Sequence, residues 1–379
     1  MANDKSFKIK NGILAQRYLQ SAGTETAGSE GYSLAAASYD SVSFSVAAKE
    51  TNPSGLFFKP DGTKFYIVGS GSDTVHEYTL STAWVLSTAT FTQSFSVAAQ
   101  DTAPQGIFFK PDGTKMYITG AVGDDVIEYG LSTAWDISTS SFTQSFVVSA
   151  QDTSPLGLFF KPDGTKMYIV GQAGQDINEY DLSTAWDIFT ASYLQNFSVS
   201  AQDTVPRGLF FKPDGFGFFV VGAIGVDINE YSLTSAWDIS TASYVQALST
   251  STVDTNPATV FFKDDGSKMY LSGQVADAVY QYSTVSLTQT LDLSTGTYFS
   301  FTPSGATTVS FTNPPASGLA VGFAVEVVGD GSAITWPASV KWHEATAPTA
   351  TATKEVYVFI TTDGGTTYYG KKAAEGLSS

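Results

Sequence analysis

One hexapeptide governs what this chain can fold into. Phe57-Phe58-Lys59-Pro60-Asp61-Gly62 returns at Phe108–Gly113, Phe159–Gly164 and Phe210–Gly215, and in altered form at Phe261–Gly266, so its leading phenylalanine advances by 51 residues with no insertion. Trp84, Trp135, Trp186 and Trp237 keep the same step, as do Tyr78, Tyr129, Tyr180, Tyr231 and Tyr282. A fixed period of this length marks a unit that must stack on copies of itself to bury its apolar face. Inside one unit no helical period occurs. Gly106–Lys110 reads as a short apolar strand, Pro111-Asp112-Gly113 as a turn with proline at its second position, and Lys115–Thr119 as a returning strand. Asp125–Tyr129 is a third strand, Leu131–Ile137 a longer connection and Phe142–Val148 a fourth strand. Four short antiparallel strands make a propeller blade.

Counting the pieces predicts closure. Five hairpins are followed by only four of the segments that run from tryptophan to the fourth strand. The missing piece lies upstream, where Ser43-Phe44-Ser45-Val46 matches Ser94-Phe95-Ser96-Val97 at the same offset with no hairpin before it. Residues Val42–Val46 are therefore expected to complete the fifth blade and remove an open edge. The predicted fold is all-β: a five-bladed β-propeller over 39–284 closed by an N-terminal strand, an N-terminal arm over 1–38, and a small C-terminal β-sandwich-like domain over 285–379. The arm's Gln20–Ala37 stretch is rich in Ser, Gly, Ala and Thr, as linkers are. The last segment alternates through Thr297–Thr302, Val309–Thr312 and Ala320–Val328, then forms a hairpin from Glu355–Thr361 to Thr366–Gly370.

Composition narrows the chemistry. The absence of cysteine excludes disulfides, thiol catalysis and thiolate-bound metals. Two histidines, His76 and His343, cannot build a multi-histidine metal site, and a net charge of −17 argues against a nucleic-acid partner. The apolar stretch at Gly318–Val328 is too short to span a bilayer and is interrupted by Glu326, so no membrane insertion is expected, and no secretory h-region follows the N-terminus.

Three sets of residues invite a functional reading. Glu50, Asp101, Asp152, Asp203 and Asp254 recur seven positions before each hairpin, and Glu77, Glu128, Glu179 and Glu230 recur before the tyrosine, with Gln281 in the fifth copy. A ring of such oxygens suits a hard cation or acid–base pairs, but identical repeats give every carboxylate the same environment, whereas a glycosidase needs two different ones. Turn capping by the first set and a solvated strand face for the second are the expected roles, with no catalytic, metal or cofactor residue assigned. Trp84, Trp135, Trp186 and Trp237 suit either sugar stacking, one site per blade, or a wedge packed between blades, the commoner use. The residue before the strand glycine varies, as Ser54, Gln105, Leu156 and Arg207, with Ala258-Thr259 in the fifth copy. Arg207 is one of two arginines, the other being Arg17, and this set is read as a partner-contact surface or as drift on an exposed rim. His76 stands where other copies carry Ile127, Asn178, Asn229 and Tyr280 and is expected on the surface; His343 has no visible partner set.

The Phe-Lys-Pro-Asp-Gly-x-x-x-Tyr hairpin resembles that of YVTN-type β-propellers, which implies architecture and transfers no activity. The C-terminal turns at Gly305–Val309, Asn313–Gly318, Ile334–Trp342, Ala347–Thr349 and Thr362–Tyr368 resemble a module found at the end of bacteriophage tail-fibre proteins, and Lys5–Gly12 resembles the start of phage structural proteins. That resemblance implies a non-enzymatic virion appendage, displayed on the tail or capsid after assembly in the bacterial cytoplasm. It would be anchored through its N-terminal arm to other virion proteins, homo-oligomeric, and able to meet a host-surface glycan through the tryptophans or Arg207; the alternatives are a lectin-like carbohydrate-binding propeller and a glycan-degrading tailspike.

Overall fold

Each Lys-Pro-Asp-Gly turn is made by its own residues. Gly62 donates its N–H to Lys59 O at 2.8 Å and holds a φ of 72°, while Asp61 accepts the Thr63 N–H at 3.0 Å. Positive φ is what a glycine permits there without a Cβ clash. The turn joins Pro53–Phe58 to Lys64–Gly69, and Thr74–Leu80 and Ala89–Ser96 complete the first antiparallel sheet. Three further sheets repeat this order, and a fifth contains Pro257–Phe262, Lys268–Gly273, Ala278–Ser283 and, on its outer edge, Ser38–Ser45. Among the described residues, helical content is confined to short 3-10 turns such as Ile137–Thr139, capped by Asp136. The computed structural model describes residues 31–284, 287–303, 307–329, 334–343 and 345–377.

The first strands of successive blades touch, and the fifth returns to the first. Phe57, Phe108, Phe159, Phe210 and Phe261 mark the closure: each ring meets the next edge-on, with centroids 5.2–5.5 Å apart, and Phe261 meets Phe57 at 5.2 Å. Residues 31–284 form a closed five-bladed propeller, not an extended stack.

The N-terminal closure reaches further back than Val42. Trp237 stacks on Phe211 of its own blade at 5.5 Å and on Phe159 of the preceding one at 6.4 Å. In the fifth blade, which has no such tryptophan, Tyr32 packs 5.5 Å from Phe262 and 6.5 Å from Phe210, and its hydroxyl donates to Lys263 O and Asp264 O. Residues 31–38, assigned to the arm from sequence, therefore belong to the propeller, with Tyr32 and Leu34 in its core. The rest of that arm, 1–30, lies outside the described residues.

Buried ion pairs tie the outer strands. Glu77 takes Lys64 Nζ at 2.7 Å and Gln93 Nε2 at 2.9 Å, and Gln93 also donates to Asp136 of the next blade at 2.8 Å. Glu77 is 0% exposed, which corrects the solvated face expected for this set. Blade four has Gly217 in place of the lysine, and Lys212 reaches Glu230 at 2.8 Å instead. Blade five moves the carboxylate to the donated strand: Asp40 receives Lys268 at 2.9 Å, Gln281 at 2.8 Å and Ser283 at 2.7 Å.

The described residues from 287 onward belong to a second unit. It holds a three-stranded parallel sheet of Leu287–Asp292, Thr307–Thr312 and Ile334–Thr335, and a five-stranded mixed sheet containing Tyr298–Phe301, Val321–Val328, Lys354–Thr361, Tyr368–Leu377 and Val340–Trp342. Leu291, Val309, Phe323, Val325, Tyr357 and Phe359 belong to one apolar cluster that draws on both sheets.

Candidate functional site

Because the first strand of every blade faces the axis, the five repeats build one cavity of about 360 Å3 between them. Its floor is the phenylalanine ring, whose members remain 7–9% exposed. Leu56, Ile107, Leu158, Leu209 and Val260 line the wall above it. Gly55, Gly106, Gly157 and Gly208 allow neighbouring strands to approach: a Cβ at Gly106 would lie 2.7 Å from Leu156 O. At the mouth stand Ser54, Gln105, Leu156, Arg207 and Ala258, the positions at which the repeats differ. The sequence flagged these side chains as breaks in symmetry and placed them on a rim; the structure gathers them around one opening.

Arg207 dominates that mouth. Its Nη1 donates to Asn256 Oδ1 and Gln274 Oε1, each at 2.8 Å, and to Pro257 O at 3.4 Å. Gln274 donates onward to Ser54 Oγ at 3.2 Å, so the contacts join blades four, five and one. All these acceptors are neutral. Burial lowers the Arg207 pKa, and the field of Asp203 opposes that shift. Asp203 itself is held by the N–H groups of Val205, Ile224 and Gly225. The site can therefore seat an apolar body on aromatic rings and present a guanidinium at its edge.

The other candidates lie elsewhere. Trp84 stacks on Phe58 at 5.5 Å and abuts Gly62 so closely that a Cβ there would overlap it; Trp135, Trp186 and Trp237 repeat the arrangement. Trp186 and Trp237 are 8% and 9% exposed, and the Trp135 carbonyl accepts the Tyr66 hydroxyl across the blade seam at 2.9 Å. The indoles act as inter-blade wedges. Asp101 caps its turn as expected, accepting the N–H groups of Ala103 at 2.6 Å, Val122 at 3.1 Å and Gly123 at 2.7 Å.

His76 corrects the sequence reading, being only 4% exposed. Its Nε2 lies 2.9 Å from Ser72 Oγ, which donates to Glu50 Oε2 at 2.6 Å, and its Nδ1 has no partner among the described residues. His343 borders a shallow cleft of the second unit with Trp342 and Lys371. Convergence of the mouth residues was the signal missed: a variable position on an axial strand points inward.

No family model matches the chain, and no curated protein matches it. Solved structures similar to it include a luciferin-regenerating enzyme, at 14% identity and a TM-score of 0.42 over 65% of this chain and 95% of that one. A putative 6-phosphogluconolactonase from Bacteroides uniformis matches at 14% identity and a TM-score of 0.40, over 62% of this chain and 72% of that one. A functionally unknown protein from Desulfotomaculum acetoxidans matches at 14% identity and a TM-score of 0.38, over 58% of this chain and 62% of that one, so the match spans less than two thirds of its length. Identity at this level bears on fold alone. Enzyme names stand where phage fibres were expected, and no phage protein is among these neighbours. The reading as a non-enzymatic bacteriophage virion appendage is accordingly withdrawn.

Proposed function

We propose that the propeller binds a small molecule in its axial cavity. The observation that carries this reading is where the repeats part company. They share their hairpin and tyrosine positions, and four of them the tryptophan, yet the mouth position changes chemical type from blade to blade, as Ser54, Gln105, Leu156, Arg207 and Ala258. Packing alone would favour one residue repeated; five different side chains around one opening suit an asymmetric ligand. The cavity lies at the lower end of the ~300–1,000 Å3 common for small-molecule sites. For the second unit, over 285–379, we infer a small sandwich, since one apolar cluster draws on both of its sheets.

The test is to block the mouth. Leu156 is half-buried at its edge, so Leu156→Trp should fill the opening without disturbing the blade hydrogen bonds. Ligands found by thermal-shift screening of the wild type should lose binding to this variant by calorimetry; undiminished binding would refute the assignment. Hydrolysis of a chromogenic ester by the wild type, lost in Leu156→Trp, would make the cavity an active site as well.

A further inference from the structure

Resting on that reading of the cavity, we infer that it selects small organic anions, whose carboxylate or phosphate sits on the Nε–Nη2 edge of Arg207 while the apolar body lies on the phenylalanine floor. Arg207 is the sole arginine among the described residues, and only its Nη1 is engaged. Nε and Nη2 make no hydrogen bond to any described residue. Those two nitrogens form the side of the guanidinium that meets both oxygens of an oxyanion through parallel N–H donors. Asn256 and Gln274 fix the rotamer from the opposite side, so the free edge is oriented before a ligand arrives.

The charge pattern separates this residue from the lysines that face the third-strand or donated-strand carboxylates. Lys64, Lys115, Lys166, Lys212 and Lys268 each face a buried carboxylate. Arg207 has no ion pair among the described residues, although the chain carries 36 acidic side chains. Its neighbour Asp203 is turned into its own loop by three backbone donors. A partly desolvated cation left with neutral partners at the mouth of an apolar-floored cavity is matched by an anion with an apolar body. One charge in a ring of five blades also fixes how such a ligand enters.

Calorimetry on the full chain tests this with phenylacetate, phenyl phosphate and the neutral isostere phenylacetamide. The wild type should prefer the anions over the amide by roughly 10- to 100-fold, the scale of a charge-assisted hydrogen bond. Added salt should weaken only the anions. Arg207→Gln should bring that ratio near one while leaving amide binding in place, and Arg207→Lys, which keeps the charge without the fork, should recover only part of it. Thermal unfolding verifies that both variants fold. Equal wild-type affinity for anion and amide, or a preference that survives in Arg207→Gln, overturns the anion assignment. If Leu156→Trp still abolishes that binding, the cavity reading stands. Binding untouched by Leu156→Trp, or no probe bound at millimolar concentration, overturns both.

Discussion

At position 76 the repeat changes character. Ile127, Asn178, Asn229 and Tyr280 occupy this place in the other blades, whereas His76 is buried beside Ser72, with Glu50 Oε2 at 4.0 Å. Since Ser72 gives its proton to Glu50, the imidazole carries its own on Nε2 and leaves Nδ1 without a partner among the described residues. Burial lowers the His76 pKa from its usual 6.5; Glu50 opposes the shift and Lys49 adds to it. The unfolded chain therefore takes up the proton first, and stability should fall as pH drops from 6.5 towards the lower folded value, then level off. His76→Asn, the residue of two sister blades, should flatten that slope in urea unfolding measured between neutral and mildly acid pH. Sequence could not reveal this burial, because a polar residue at a strand position carries no label for the face it occupies. Arg207 was legible as an anomaly for the opposite reason, scarcity, but its place at the axis depended on how the blades curve round.

Strands and turns were the readable part, since their signals are local. The Pro-Asp-Gly turn, the returning strand at Lys115–Thr119 and the connection through Asp136 all sit where the residues predict, although that strand is buried on both faces instead of alternating. The fifth blade needed long-range information. The donated strand was visible by its match to Ser94–Val97, but Tyr32 and Asp40 were not, because a tyrosine does duty for a tryptophan and the carboxylate moves from third to fourth strand. Asp40→Ala should cost about 3–5 kcal/mol, since it removes the carboxylate of a buried ion pair and leaves the Lys268 charge, 10% exposed, without its counter-charge at 2.9 Å. Chemical denaturation would show the loss, and a change below about 1 kcal/mol would mean that water or neighbouring hydroxyls compensate. Phe159→Ala removes one member of the aromatic floor and should cost a similar ~3–5 kcal/mol.

For the molecule as a whole, closure is the property that everything else inherits. A chain beginning at residue 47 would lack Tyr32, Asp40 and the edge strand, leaving Ala278–Ser283 unpaired on one side. Size-exclusion chromatography with light scattering should then report larger species than the intact chain forms. The intact protein meets the same hazard once, during its birth. Asp40 leaves the ribosome 228 residues before Lys268, an interval of roughly 10–50 s at ordinary elongation rates. Throughout that time the donor strand is idle, while the third strands of four earlier blades emerge bearing edges much like its true mate's. Near-identity of sequence is thus a hazard for the nascent polypeptide, and the carboxylate swap that places Asp40 on the fourth strand serves as an address that those earlier sheets lack.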